Sequence, residues 1–204
     1  MVLLGGVSMN YNSFKWLNQS QHSIEGDKIT IHAPAITDYF NSPVQVNGTF
    51  NPPIGNAPFF YTDIEGDFVI RVKVKPEFKS KFDAGSIMVI QDDNLWFKAA
   101  FEKSDFNTTA VVSVVTNTVS DDANGCNIDL ESIWLQVARV GNNFAIHYSL
   151  DGEKFDMVRV FYLPVEATLK VGIEAQCPAG QGSTHEYSGL TIEKRSIKEL
   201  RAGK

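Results

Sequence analysis

Several features that announce common protein classes are scarce or missing in this chain. It carries only two cysteines, Cys126 and Cys177, in 204 residues, too few for the disulfide framework of a small secreted domain. Cys177 ends an apolar strand pattern and Cys126 falls in a polar stretch that reads as a turn, so both are expected as free thiols. Neither charge sign forms a long run, and 24 acidic against 18 basic residues give a formal charge of −6. Nucleic acid is excluded as an expected partner, because phosphate binding needs clustered Lys and Arg. The basic residues near the C-terminus, Lys194, Arg195, Lys198, Arg201 and Lys204, read as a frayed, solvated tail. Residues 1–7 are apolar, but short, without a basic flank and followed by Asn10 to Asn12. They are expected to be neither a signal peptide nor a membrane span, which leaves a cytoplasmic location and no membrane partner as the default.

Motifs for common chemistries are missing too. No Ser-centred nucleophile elbow, phosphate-cradling glycine loop or dinucleotide fingerprint occurs; Gly180-Gln181-Gly182 reads as a hairpin tip, with no helix after it to offer amides to a phosphate. His22, His32, His147 and His185 are scattered, without a second ligand at zinc spacing. The turn-like Asp121-Asp122-Ala123-Asn124-Gly125 could hold calcium, but such residues are mostly turn formers. No metal and no cofactor are expected.

What is present is a core and a rhythm. Hydrophobic residues make up 43% and 14 are Phe, enough for one large core, and a single domain spanning 1–204 is expected, with a structured centre over about 14–193. Short β-like runs fill 28–32, 68–74, 86–90, 95–102, 110–116, 134–140, 144–149, 155–162, 168–175 and 187–193, with no helical stripe before the last dozen residues. Gly141-Asn142-Asn143 and Asp151-Gly152 join three of these runs into an antiparallel meander. Many short strands with regular turns specify an all-β sandwich or barrel. The stretch 34–58, with five prolines among Asn and Gly, breaks the rhythm and reads as a long ordered excursion of the functional or mobile kind.

The most informative segment is DAGSIMVIQDDNLWFKAAFE, Asp83 to Glu102. Its second strand alternates: Leu95, Phe97, Ala99 and Phe101 point one way and belong to a core, while Trp96, Lys98, Ala100 and Glu102 point the other. A tryptophan, an ammonium and a carboxylate in one row, with small Ala100 between, resemble the floor of a ligand site; an exposed tryptophan packed against a loop is the plainer alternative. Glu174, between Ile173 and Ala175, falls on the polar side of its own strand, and on neighbouring strands it would converge with Lys98 and Glu102. Such a group is either a cross-strand ion pair or a weak catalytic candidate. His147 alternates so as to face away from the core. Asp63-Ile64-Glu65 and Asp129-Leu130-Glu131 have the two-residue spacing of glucanase carboxylates but lie in turns or loops, where Asp and Glu serve turn chemistry.

In order along the chain, Phe14-Lys15-Trp16-Leu17-Asn18, Thr37-Asp38-Tyr39-Phe40, Glu65-Gly66-Asp67-Phe68, Asp83-Ala84-Gly85, Trp96-Phe97-Lys98, Ser113-Val114-Val115-Thr116, Trp134-Leu135-Gln136-Val137, His147-Tyr148-Ser149-Leu150-Asp151-Gly152 and Val171-Gly172-Ile173 form a series. This series resembles the uncharacterised family that includes the yeast protein called regulation of enolase protein 1. The resemblance implies a concanavalin A-like jelly-roll sandwich of two antiparallel sheets, the fold of legume lectins and many glucanases, and implies little about activity. Two departures stand out: Gln136 where a basic residue is expected, and the length of 34–58, which suggests a modified rim. The expectation is a non-catalytic carbohydrate-binding or sugar-sensing module. A sugar or small polar ligand would stack on Trp96, with Trp16 or Tyr39, while Asp38, Lys98, Glu102 and Glu174 bond its hydroxyls. A glycosidase using Glu102 and Glu174, and a regulatory domain that binds a protein partner, are the alternatives.

Overall fold

The computed structural model describes residues 9–204; the apolar segment 1–7 lies outside the described residues. Two antiparallel sheets dominate. The first runs, in spatial order, β1 (Lys15–Leu17), β8 (Phe59–Glu65), β17 (Thr168–Gln176), β10 (Ala84–Ile90), β11 (Leu95–Lys103), β12 (Thr109–Asn117) and β13 (Val119–Asn127). The second runs β16 (Asp156–Tyr162), β15 (Asn143–Ser149), β14 (Ile133–Val140), β9 (Phe68–Pro76), β18 (Ser183–Glu193), β3 (Lys28–Ala33) and β2 (His22–Glu25). Two small ribbons, β4 (Tyr39–Phe40) with β7 (Ile54–Gly55) and β5 (Gln45–Val46) with β6 (Thr49–Phe50), lie inside the 34–58 excursion. Among the described residues no helix is long and apolar enough to cross a membrane.

All ten expected strands form, and β14, β15 and β16 are the expected meander. Gly141 and Gly152 take φ of +58° and +84° at its two turns, a conformation that costs glycine little. The fold is the two-sheet sandwich that the alternation demands. Inward residues of both sheets, including Phe97, Phe101, Ile173, Ile70, Val137 and Phe144, make one core.

Other readings are corrected. Asp121 to Gly125 is not a turn: it belongs to β13, where Asp122 pairs with Val114 and Asn124 with Val112. An edge strand keeps one row of backbone groups in solvent, and polar residues protect it from pairing with another chain, so its composition mimics a loop. Cys126 lies on this strand and is exposed, whereas Cys177 is buried; both are free. The segment containing Asp63 and Glu65 is also a strand, β8, and the tight turn begins only at Gly66, with φ +79°.

The C-terminal residues are not a frayed tail. Ile197 and Leu200 pack on Val69, Ala138 and Val140 on the outer face of the second sheet. Gln136 Nε2 donates to the Gly203 carbonyl at 3.2 Å, and His147 Nε2 lies 3.3 Å from the Arg201 carbonyl. His147 does face away from the sandwich core, but this strap buries it completely. Gln136, which stands where a base was expected, is held by Arg71 Nε at 2.5 Å.

The first sheet is covered on both faces. Behind it is the sandwich core; in front of it Tyr39, Phe59, Tyr61, Met88, Trp96, Ala100 and Val112 form a second apolar cluster beneath the excursion. Every residue of β10 is consequently buried, which explains its unbroken small and apolar run Ala84 to Ile90.

Candidate functional site

The row from β11 lies on this front face, beside Ser86 and Met88 of β10 and Glu174 and Gln176 of β17. Strand β4 of the excursion crosses above it. Lys98, only 2% exposed, is the fastening between the two layers. Its Nζ donates to Asp38 Oδ1 at 2.9 Å, to the Tyr39 carbonyl at 2.8 Å and to Gln176 Oε1 at 2.5 Å. All three ammonium protons are therefore committed. Burial alone would pull the Lys98 pKa down, but the charges of Asp38 and Glu174 outweigh it and hold the amine above its ordinary value.

Glu102, at 7% exposure, borders a pocket of about 180 Å³ lined by Asp38, Phe40, Phe82, Lys98, Asp122 and Gln176 among others. Burial pushes its carboxyl up to about 8, with Asp122, Asp38 and Glu174 adding to the rise and Lys98 opposing it. At neutral pH it is mostly a protonated donor. Burial raises Asp122 as well. The Phe82 carbonyl accepts from Gln176 Nε2 at 2.9 Å. Phe82 itself has φ +67°, a backbone state that costs a bulky residue on the order of 1–3 kcal/mol and tends to persist at functional sites.

Glu174 is fully buried and does not line that pocket. Neither of its oxygens reaches a partner with hydrogen-bond geometry, and nor does the hydroxyl of Ser86, which stands directly opposite on β10. Burial lifts Glu174 to about 7 against the pull of Lys98. Together with Glu174, Asp93 and burial keep the Tyr39 hydroxyl protonated far beyond its ordinary range, burial being the main cause.

Of the seven residues expected at a ligand site, Asp38, Tyr39, Trp96, Lys98, Glu102 and Glu174 share this face and Trp16 does not. Trp16 sits on β1 opposite Phe60 and turns toward the sandwich core, its ring 4.6 Å from Phe60 and 4.5 Å from His22 between centroids. Trp96 occupies the expected face but is no open platform: the excursion leaves it 2% exposed, with the Tyr39 ring 6.0 Å away. Asp63 and Glu131 pair on the surface with Lys15 and Lys75, at 2.8 and 2.9 Å. Gln176, Phe40, Phe82 and Asp122 were not anticipated. Gln176 was readable, two positions beyond Glu174 on the same face; the others depend on where loops and an edge strand come to lie.

A family model described as "Protein of unknown function (DUF1349)" matches residues 16–195. The chain belongs to the DUF1349 family. No curated protein matches this DUF1349 chain. Among solved structures it is similar to a "functionally unknown protein from Saccharomyces cerevisiae", 24% identical with a TM-score of 0.84, over 93% of this chain and 100% of that one. It is also similar to "Bacteroides ovatus Xyloglucan PUL GH43B", 10% identical with a TM-score of 0.66, over 93% of this chain but only 38% of that one. A "legume lectin-like domain from Entamoeba histolytica", 10% identical with a TM-score of 0.55, is covered over 91% of both chains. These likenesses establish a lectin-like β-sandwich for the DUF1349 chain and assign it no role in enolase regulation.

Proposed function

We propose that this protein is a non-catalytic carbohydrate-binding module that seats one sugar ring in the pocket beside Glu102. The observation that carries the reading is the pairing, in one small pocket, of apolar walls from Phe40 and Phe82 with the polar groups of Asp38, Glu102, Asp122 and Gln176. Aromatic faces take the C–H side of a pyranose, and a few fixed donors and acceptors select its hydroxyls. At about 180 Å³ the pocket is below the ~300–1,000 Å³ of drug-sized sites, which suits a single ring or a chain end. A protonated Glu102 donates one hydrogen bond and accepts another. The sealed position of Glu174 weighs against a Glu102–Glu174 glycosidase pair, since both carboxyls of such a pair must flank one bond. The stacking surface in this reading is Phe82 and Phe40, in place of Trp96.

The test is a glycan array followed by calorimetric titration of any hit. Phe82→Ala and Glu102→Ala are each expected to weaken binding at least about tenfold, the loss typical of an anchoring contact, with circular dichroism unchanged. Failure to bind any glycan, or undiminished binding by both variants, would refute the proposal. A second reading, a regulatory domain that docks a protein, draws support from Ile36, Val44, Val46 and Phe50, exposed apolar side chains along the excursion. It predicts that Val46→Asp abolishes partner capture and leaves glycan binding intact.

A further inference from the structure

The pocket beside Glu102 offers a ligand acceptors and no spare N–H donor. The side-chain N–H groups of its lining belong to Lys98 and Gln176. Lys98 commits its three protons to Asp38 Oδ1, the Tyr39 carbonyl and Gln176 Oε1, and Gln176 Nε2 donates to the Phe82 carbonyl at 2.9 Å and to Glu102 Oε2 at 3.4 Å. Both inventories are then exhausted. The acceptors are not. Glu102, more than nine-tenths buried, faces the pocket; its Oε1 and Asp38 Oδ2 have no hydrogen-bond partner among the described residues, and Asp122 has no ion pair there.

The apolar wall is open in a way that the Trp96 face is not. Phe82 remains 36% exposed. Its backbone is tied on both sides, the N–H donating to the Lys103 carbonyl at 2.6 Å and the carbonyl accepting from Gln176. Such fixed geometry lowers the ordering cost of binding.

Charge narrows the choice of ligand. Three carboxyl groups, of Asp38, Glu102 and Asp122, share the lining with one ammonium. Asp122, Asp38 and Glu174 all add to the effect of burial in raising Glu102, so the pocket is short of positive charge. An anionic sugar would deepen the excess. The hydroxyls of a neutral ring would fill the open acceptors and leave the charge as it was, whereas an ammonium on the ring supplies donors and the missing charge together. We propose, resting on the sugar-binding reading of this pocket, that its ligand is an amino sugar with a free amine, seated with its ring against Phe82 and its ammonium toward Glu102 and Asp122. As the ammonium enters, Glu102 gives up its proton to solvent and binds as the carboxylate.

Glucosamine, glucose, N-acetylglucosamine and cyclohexylamine separate ring from charge. Each is titrated calorimetrically into the full chain at pH 6.5, where both free amines are protonated. Glucosamine is expected to bind at least about tenfold more tightly than glucose or N-acetylglucosamine, the scale of one charge-assisted hydrogen bond, and at least about tenfold more tightly than cyclohexylammonium, which lacks the hydroxyls. Titrations in buffers of different ionisation heat are expected to show proton release with glucosamine and none with glucose. Glu102→Gln, which keeps the side-chain shape, should abolish that release and narrow the preference for glucosamine; Asp122→Asn, on the exposed edge strand, should narrow the preference without moving the melting temperature. Glucose binding as tightly as glucosamine, or a preference unchanged in both variants, would overturn the proposal and leave the sugar-binding reading standing. Cyclohexylammonium binding as tightly as glucosamine would overturn both. Glucosamine that does not bind overturns the proposal alone, since the glycan array decides the sugar-binding reading.

Discussion

Glu102→Gln is the sharpest probe of the buried charge group, because it keeps the side-chain shape and removes the ability to ionise. In the folded protein the Glu102 carboxyl titrates at about 8, against an ordinary 4.5. Between these values the folded state holds a proton that the unfolded state has released, so stability is full below the unfolded value and falls as pH rises toward 8. His185 runs the other way: burial holds it at about 4 against 6.5, and His147 is also lowered by burial. Their contributions rise with pH through about 6.5 and level off above it, and they are common to wild type and Glu102→Gln, as is that of Asp122, which burial raises. The difference between the two proteins from pH 6.5 to 8 therefore isolates Glu102. At about 1.36 kcal/mol per pH unit, Glu102 makes the protein about 2 kcal/mol less stable across that interval. Glu174, titrating near 7, adds about 0.7 kcal/mol on the same scale. Urea unfolding at half-unit steps from pH 6.5 to 8, analysed by linear extrapolation, is expected to show a wild-type loss about 2 kcal/mol larger than that of Glu102→Gln. Parallel curves for the two proteins would refute the reasoning, and would mean that Glu102 is ionised and solvated in the folded state.

Three further outcomes are expected. Trp96→Ala and Phe97→Ala should each lower stability by about 3–5 kcal/mol, since both rings are buried, one on each face of the sheet; a Trp96→Ala protein as stable as wild type in denaturant titration would contradict the cover over that face. Gly172→Ala should fold poorly or not at all, because its Cβ would press on the Phe60 carbonyl oxygen and stand 2.7 Å from Tyr61 Cα; wild-type expression and melting would be the contrary result. Removing residues 196–204 exposes Val69 and Ala138 and takes the Gly203 carbonyl from Gln136 Nε2 and the Arg201 carbonyl from His147 Nε2; a loss on the order of 2–4 kcal/mol is expected, with faster amide exchange in β14 and β15 as the local readout.

Period-two alternation was enough to put Lys98 and Glu102 on one face of β11 and Glu174 on the matching face of β17, because that inference needs only the strand itself. Whether the face is open is a different matter. Trp96 is sealed by the 34–58 excursion, whose path is set by contacts such as Asn18 with Gly55 and Lys98 with Tyr39, far apart in the chain. Proline and asparagine content marks such a segment as non-strand but says nothing about where it comes to rest. The strand β13 was illegible for another reason: Asp, Asn and Gly are favoured both in turns and, as protection, along exposed edges. In the docked C-terminus, Ile197 and Leu200 stand three residues apart among charged neighbours, a faint apolar signal that the basic residues outweighed.

The order of strands in space has a consequence for biosynthesis. β18 lies between β9 and β3, and β17 between β8 and β10, so two strands made after both of their neighbours occupy interior positions, one in each sheet. While the ribosome is still translating residues before about 168, β8, β10, β9 and β3 present unpaired edges and an open hydrophobic interior; the first sheet cannot close until β17 has left the exit tunnel, nor the second until β18 has. Pairings at such sequence separation form slowly, and the incomplete chain is prone to aggregate. A nascent chain of this protein is thus expected to depend on chaperones that hold it until β17 and β18 have been delivered.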